Sequence, residues 1–222
     1  MGTISKPYDF SANTTISSSQ VDSNFDTIYN EFNGSIAAAN LATDSVTTAK
    51  IADSNVTTAK LADGSITNAK VATGVAVQVG STVSTAVATT TTLIPVDDTI
   101  PQITEGAEFM TLSYTPKAAT NLLVIQVVMM GSSSTANGII VALFQDATAN
   151  ALAAAYTYQA TSTGNVAVPL THTMTAGTTS AITFRVRGGS QNAGTFTFNG
   201  FSGGRIFGGI TKSSIVITEY KV

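Results

Sequence analysis

The chain carries a ten-residue repeat in which a large aliphatic residue returns at every fifth position. The repeat reads LATDSVTTAK, then IADSNVTTAK, then LADGSITNAK over residues 41–70. The five-spaced aliphatic positions are Leu41, Val46, Ile51, Val56, Leu61, Ile66 and Val71. A short fixed period of this kind is typical of fibrous arrays, so it favours an architectural role over catalysis.

This spacing excludes a single continuous helix and a single flat strand. Five steps along an α-helix rotate by about 500°, so successive aliphatic residues would cover every face. Five steps along a strand is an odd number, which puts successive residues on opposite faces. The repeat therefore predicts a compound unit that bends within each decad, so that both of its aliphatic residues point towards one axis.

The bends are predicted at turn-forming triplets within each decad. Asp-Ser-Asn at residues 53–55 and Asp-Gly-Ser at residues 63–65 are strong turn formers, and Thr-Asp-Ser at residues 43–45 is a weaker copy. Three threonines are expected to cap a single helical turn that leads into the next aliphatic residue: Thr47, Thr57 and Thr67.

A lone chain cannot bury these aliphatic side chains, so we expect copies of the chain to wind together into a rod. The alternative is a flexible Thr/Ser/Ala-rich linker, which has no reason to keep a five-residue spacing. Lysines recur beside aspartates in the decads, and pairing between adjacent chains is expected to set register more than stability. The residues concerned are Lys50, Lys60, Lys70, Asp53 and Asp63.

A short coiled-coil helix is predicted upstream of the repeats. The serines of residues 17–19 offer an N-cap, Asp22 is expected in the first turn, and Gly34 is expected to stop the helix. Its apolar residues follow spacings of four, three and four, the seam of a coiled coil: Val21, Phe25, Ile28 and Phe32. A helix of this length is marginal in isolation, so it needs partners; packing against its own extended arm is the alternative.

The rest of the chain reads as β-structure. Short apolar runs bounded by turn residues recur at intervals of about ten, which is typical of a β-sandwich or jelly roll. Eight strands are predicted near residues 108–114, 121–130, 138–145, 150–159, 164–174, 180–187, 194–200 and 213–220. The stretch Leu122–Met130 is apolar on both faces, so we expect one face to meet the core and the other a neighbouring subunit.

These patterns divide the chain into four parts. Residues 1–40 are expected to form an arm and a short coiled-coil helix, residues 41–75 a repeat shaft, residues 76–100 a neck with one or two strands, and residues 101–222 a jelly-roll head. The expected fold class is mainly β, with the helical coiled coil and shaft preceding a C-terminal β-sandwich, in a homotrimer.

The amino-acid composition limits the kinds of partner and metal site that the chain can have. Charged residues make up 10% of the chain and the formal net charge is -3, so no basic stripe is present to bind nucleic acid. The chain has no cysteine, which excludes disulfides and thiolate metal sites. We expect neither a signal peptide nor a membrane-spanning segment, because no apolar run of the required length occurs.

The residues that could act in catalysis or bind a metal ion are each interpreted as structural. His172 is the single histidine, which excludes a histidine cluster, and Asp97-Asp98 is interpreted as a solvated loop rather than a calcium site. Asp146 is assigned to a hairpin turn. The paired glycines near residues 188, 203 and 208 lack the context of a nucleotide loop and are expected to permit turns or close backbone contacts.

Four phenylalanines are expected in the core, with a sugar-stacking surface as the alternative: Phe196, Phe198, Phe201 and Phe207. No cofactor or metal ion is expected, and no enzyme activity. A polysaccharide depolymerase fits poorly, because a single jelly roll offers no cleft with paired carboxylates.

The order of motifs resembles that of tailed-bacteriophage fibre proteins. The opening PYDFSANTTISSSQVDSNFDTIYNEFNG resembles the N-terminal segment of many phage structural proteins, and the decads resemble the repeat arrays of phage fibres. The C-terminal stretch NGFSGGRIFGGITKSSIVITEYKV is similar to the closing strands of trimeric C1q/tumour-necrosis-factor-like jelly rolls. The resemblance implies a homotrimer held on the virion by its N-terminus, through other virion proteins that contact residues 1–34.

On this resemblance, the expected function is a virion fibre, a tail fibre or a head fibre, whose head adsorbs to a host-surface glycan or protein. A purely structural capsid decoration without a receptor is the alternative. The expected location is the particle surface, without membrane insertion.

Overall fold

The computed structural model describes residues 6–12, 15–33, 36, 41–162 and 164–222. The chain forms two compact units divided between Ser65 and Ile66. The first unit contains the α-helix and the first decads, and the second contains the β-sandwich.

The predicted helix is present as α1, Ser18–Asn33. Ser17 and Gln20 form a capping box, in which the Gln20 backbone N–H donates to Ser17 Oγ at 3.4 Å and the Ser17 N–H donates to Gln20 Oε1 at 3.1 Å. Asp22 lies beyond the first turn, which contains no acidic residue, because the helix begins at Ser18. Gly34, the predicted stop, lies outside the described residues.

Each decad folds into a turn followed by one 3₁₀ turn, as predicted. Each turn is closed by a backbone N–H that donates to the carbonyl oxygen three residues earlier: Ser45 to Ala42 at 3.0 Å, Asn55 to Ala52 at 3.1 Å and Ser65 to Ala62 at 3.0 Å. The 3₁₀ turns are Thr48–Lys50, Thr58–Lys60 and Asn68–Lys70.

Two details of the decads follow from local backbone chemistry. The third residue of each turn has a left-handed backbone, with φ of 59° at Asp44, 69° at Ser54 and 76° at Gly64, which glycine adopts without strain. Thr47 and Thr57 occupy the predicted N-cap positions in an extended conformation, but their side chains make no capping hydrogen bond. The prediction of side-chain capping is therefore wrong at both sites.

The second unit is a sandwich of a six-stranded and a four-stranded sheet. Its strands are β1 (Ala76–Ser84), β2 (Ala88–Thr90), β3 (Ala107–Tyr114), β4 (Leu122–Ser133), β5 (Asn137–Gln145), β6 (Ala153–Gln159), β7 (Val166–Thr175), β8 (Ile182–Ser190), β9 (Phe196–Phe198), β10 (Gly200–Phe201), β11 (Gly204–Arg205) and β12 (Ser213–Tyr220). One sheet has the order β1-β12-β4-β9-β2 with β7 also paired to β4, and the other has the order β3-β8-β5-β6. From β3 onward the long strands cross between the two sheets at every step except the β5–β6 hairpin, in the manner of a jelly roll, which confirms the predicted sandwich.

The predicted neck does not form a separate segment. β1 pairs with β12 along its whole length, from Ala76 opposite Tyr220 to Ser84 opposite Ser213, and β2 pairs with β9. The residues assigned to a neck thus supply strands to the head, because the partner strands come from the far C-terminal part of the chain. The predicted strand at 194–200 is also divided, into β9 and β10.

The main core lies between the two sheets. It contains alternate residues of the long strands, among them Ile125 of β4, Val141 of β5, Phe184 of β8 and Ile217 of β12, all fully buried. Gly188 permits the sheets to approach, since a Cβ there would lie 2.6 Å from Met129 Sδ. A smaller cluster covers the outer face of β5 and contains Ile94, Ile140, Ala142 and Phe144.

Candidate interaction surfaces

One face of helix α1 presents apolar side chains to solvent. Phe25, Ile28 and Phe32 are 54%, 45% and 64% exposed, Val21 is half-buried, and the described part of the helix contains no buried residue. These four residues, hereafter the helix seam, have the spacing of a coiled-coil contact. The seam therefore has the pattern of a helix that packs against another helix.

The N-terminal arm contacts the helix beside this seam. The Tyr8 N–H donates to Asn24 Oδ1 at 3.1 Å, and Asn24 Nδ2 donates to the Tyr8 carbonyl oxygen at 3.0 Å. The arm and helix thus associate, as in the alternative considered above. Since the seam residues Phe25 and Phe32 remain exposed, the arm does not replace a partner helix.

The decads leave their aliphatic residues open within a single chain. Six of the seven are exposed by 41–57%, and Val71 is half-buried. Lys50 Nζ donates to the Ser45 carbonyl oxygen at 2.6 Å, so this lysine closes its own decad instead of pairing with an aspartate of the same chain. The pattern leaves an apolar row that only another molecule can cover.

The outer face of the six-stranded sheet is a further apolar surface. Val79 and Val83 of β1 are 62% and 55% exposed, and Val128 of β4 is 40% exposed. Val124 is half-buried in the same row as Val79, and Val216 is half-buried in the intervening row, beside Ser81 and Gln126. These five valines, hereafter the open sheet face, are the uncovered side of the strand for which the sequence predicts a subunit contact. Monomeric proteins seldom expose large contiguous apolar patches.

The end of the head that joins the last decad is held by Glu219. Its carboxylate is fully buried and accepts hydrogen bonds from Tyr114 Oη at 2.9 Å, Asn121 Nδ2 at 2.7 Å and the backbone N–H of Lys117 at 2.8 Å. Burial, together with the Glu219 carboxylate, raises the pKa of Tyr114, so its hydroxyl remains a donor. This cluster fixes the segment between β3 and β4 against β12.

Lys221 hydrogen-bonds to the chain at residues 69–75, at the same end of the head. Its Nζ donates to the carbonyl oxygens of Ala69, at 3.2 Å, and Val71. Its backbone also pairs with the two residues just before β1: the Gly74 N–H donates to Lys221 O at 2.8 Å, and the Lys221 N–H donates to Val75 O at 3.0 Å. Residues 69–75 are thereby bound along the C-terminal strand.

The opposite end of the head carries an exposed apolar loop. Since Ser84 pairs with Ser213, residues 199–212 lie at the end of β1 away from Ala76. In this loop Phe207 and Ile210 are each 78% exposed. An open hollow of about 600 Å³ lies beside them and is lined by Met130, Asn165, Phe201, Ile206 and Phe207.

The side chains considered as reactive or metal-binding lie on separate elements and do not form a cluster among the described residues. His172 lies half-buried in β7, and burial lowers its pKa below the ordinary value. Asp146 occupies a turn with φ of 52°, where its Oδ1 accepts from the Thr183 N–H at 2.8 Å. Among the described residues no group of three or more His, Cys, Asp or Glu is placed to hold a metal ion. No helix in the described part is both long and apolar enough to cross a membrane.

The four phenylalanines divide between core and surface. Phe196 and Phe198 are fully buried, and Phe109 stacks on Phe198 with ring centroids 4.7 Å apart. Phe201 is half-buried, whereas Phe207 is exposed. Core packing is thus confirmed for the first pair but is wrong for Phe207.

Glu219 was missed by the sequence analysis although a signal for it exists. Ser213, Ile215, Ile217 and Glu219 share one parity of β12, and Ile215 and Ile217 mark that parity as inward. A carboxylate at an inward position requires several hydrogen-bond donors, which is what the structure supplies.

Solved structures with related architecture have low similarity to this chain. Eiger TNF from S. frugiperda matches with 9% identity over 60% of this chain and 84% of that chain, with a TM-score of 0.35. The infectious bursal disease virus Gx strain matches with 13% identity over 65% of this chain and 38% of that chain, with a TM-score of 0.30. At these values the likeness adds nothing to the topology described above.

No curated protein sequence matches the chain. The family model of the Pgp3 C-terminal domain matches residues 90–222, which is more than half of the chain and includes every strand from β3 to β12. Through these residues the chain belongs to the Pgp3 C-terminal domain family.

Proposed function

We propose that this protein is a homotrimeric bacteriophage virion fibre, anchored by its N-terminus and presenting the jelly-roll head to the host surface. The observation that carries the proposal is the exposure of the helix seam and of the aliphatic row in the decads. Both have the spacing of elongated multi-chain assemblies, and both are uncovered in one chain. Association of three copies buries these side chains and supplies the free energy that a single chain lacks.

Two features of the head support this arrangement. The open sheet face supplies an apolar contact area within the sandwich, and family membership is consistent with a trimeric β-rich head. Residues 69–75 are bound at the Glu219 end of the head, while the loop of residues 199–212 lies at the other end. In a fibre held by its N-terminus, this polarity directs the exposed loop outward.

Attachment would gain from the number of heads. Three heads per fibre and several fibres per particle raise the effective concentration of weak sites without tightening any one of them. The expected partner is therefore a repeated component of the host surface. We test this role by competition: saturating purified protein should reduce adsorption of virions to host cells, and unchanged adsorption would contradict it.

A capsid decoration without a receptor is the second candidate, and the shortness of the repeat segment, with three decads, favours it. It predicts incorporation into particles but no competition for adsorption. Anchoring is tested separately with a chain that lacks residues 1–34. We expect this chain to be absent from purified particles; its incorporation at the level of the full-length chain would refute the assignment of the anchor.

A further inference from the structure

Two tyrosines project from the outer face of the four-stranded sheet, on the opposite side of the sandwich from the open sheet face. Tyr156 and Tyr158 of β6 are 48% and 57% exposed. They share one face of the strand because side chains alternate, while Ala153 and Ala155 pack against the core. Neither hydroxyl has a hydrogen-bond partner among the described residues.

The Tyr156 ring rests on the neighbouring strand. Gly138 of β5 lies beneath it, since a Cβ at Gly138 would come within 2.3 Å of Tyr156 Cε2 and 2.8 Å of Gln191 Oε1. Any larger residue at this position would displace the ring. The absence of a side chain at Gly138 thus lets Tyr156 lie across the sheet as an aromatic surface that faces solvent.

A trough begins beside this ring. The segment of residues 95–101 borders the start of β6 and encloses two adjoining hollows of about 420 and 250 Å³. Asp97, Thr99 and Ala154 line both, and Tyr156 lines the smaller one. We name this trough and the two tyrosine rings the tyrosine groove.

The polar wall of the groove is fixed in position. Asp97 Oδ1 accepts hydrogen bonds from the Thr99 N–H at 2.9 Å and from Thr99 Oγ1 at 2.6 Å. These bonds lower the pKa of Asp97, so it stays a carboxylate at neutral pH. Asp97 Oδ2 and the neighbouring Asp98 carboxylate have no partner in the described part of the chain and can accept hydrogen bonds from a ligand.

Exposed tyrosine rings beside fixed carboxylate groups suit the binding of a sugar chain. Aromatic surfaces pack against the apolar C–H faces of pyranose rings, and carboxylates and phenols bond with their hydroxyls. The floor is formed by small alanines, and both hollows are open to solvent, so a polymer longer than the site can lie across them. Neither hollow is lined by a Lys or Arg side chain, and both contain carboxylate groups, which disfavours anionic polymers.

We propose that the tyrosine groove binds a neutral polysaccharide, an inference that rests on the proposed attachment function and names its ligand class. The groove lies on the sheet that we do not assign to contacts between copies, so it remains accessible in the trimer. A site of this kind can be weak in one head, since three copies act together.

The test is affinity electrophoresis of the full-length protein in native gels that contain one polysaccharide each. The neutral probes are glycogen, laminarin, mannan and agarose-derived galactan, and the charged probes are alginate and polylysine. Wild-type protein should be retarded by at least one neutral probe. Tyr156→Ala and Tyr158→Ala should each weaken that retardation about tenfold, which corresponds to the loss of one aromatic contact.

Two further variants sharpen the result. Gly138→Ala should weaken retardation as Tyr156→Ala does, because it displaces the ring without removing it. Phe207→Ala, which removes a still more exposed aromatic side chain from the loop of residues 199–212, should leave retardation unchanged. Absence of retardation by every neutral probe, equal loss in Phe207→Ala, or strongest retardation by alginate or polylysine would overturn the proposal.

The sedimentation mass of the same samples separates the two proposals. A trimer that no neutral polysaccharide retards contradicts the groove and leaves the fibre intact. A monomer that is retarded through Tyr156 supports the groove and contradicts the fibre.

Discussion

Buried polar side chains determine local order at the ends of the head. Glu219 accepts hydrogen bonds from Tyr114 at the end of β3 and from three residues of the segment between β3 and β4, Lys117, Ala118 and Asn121. A buried carboxylate of this kind is stable only while its donors remain in place, because an uncompensated charge in the interior is costly.

Replacing Glu219 with glutamine should destabilise the head by about 2 to 4 kcal/mol. The NH₂ group of glutamine is a hydrogen-bond donor, and it would face neighbouring donors that need an acceptor. The measurement is the shift of the urea unfolding midpoint. Glu108→Gln is the matched control: Glu108 is exposed and pairs with Arg185 at 3.1 Å, so its loss should cost at most about 1 kcal/mol. Equal shifts in the two variants would show that the Glu219 cluster contributes no more than a surface ion pair.

His172 predicts how stability depends on pH. Burial lowers its pKa in the folded protein, so the unfolded chain takes up the proton first as the pH falls. Stability should be fully present above the ordinary histidine pKa of about 6.5 and decline below it. No other histidine exists in the chain, so the difference between wild type and His172→Gln isolates this group. Parallel stability curves between neutral and mildly acidic pH would contradict this.

At the scale of elements, the repeat unit is ten residues long although its aliphatic spacing is five. Each decad contains one turn and one 3₁₀ turn, which follow different aliphatic residues. The unit that can be removed without disturbing its neighbours is therefore the decad and not the pentad.

Deletion of residues 51–60 removes one whole decad, so Lys50 then precedes Leu61 in the way that Lys60 does in the wild type. We expect this variant to have a thermal unfolding midpoint and a number of chains per oligomer close to those of the wild type. Deletion of residues 51–55 keeps an aliphatic residue at every fifth position but brings two 3₁₀ turns together without the intervening turn. We expect this variant to unfold at a lower temperature and to dissociate more readily. Identical behaviour of the two deletions is the result expected of a flexible linker.

The sequence predicts local elements better than their pairing. Short apolar runs bounded by turn residues located β12 at residues 213–220 and β5 within one residue of its observed start, and the turn formers located the bends of the decads. The assignment of β1 to a neck failed because its partner β12 lies at the other end of the chain, and local patterns carry no information on such pairing. The tyrosine groove was missed for the same reason, since its wall and its rings come from separate segments.

At the scale of the whole molecule, a single chain leaves several apolar surfaces exposed. The helix seam, the decads and the open sheet face lie in different parts of the sequence, yet each exposes large aliphatic or aromatic side chains. Exposed apolar surface on this scale usually marks contacts between subunits. In the proposed trimer, copies of the chain cover these surfaces, whereas a monomer would leave them in water.

Sedimentation equilibrium of the purified full-length protein tests this claim most directly. We predict a single species with three times the 22.7 kDa mass of one chain, and a smaller mass when Phe25 and Phe32 are both replaced by aspartate. A stable, well-ordered monomer at the same concentrations would contradict the claim that copies of the chain cover its apolar surfaces.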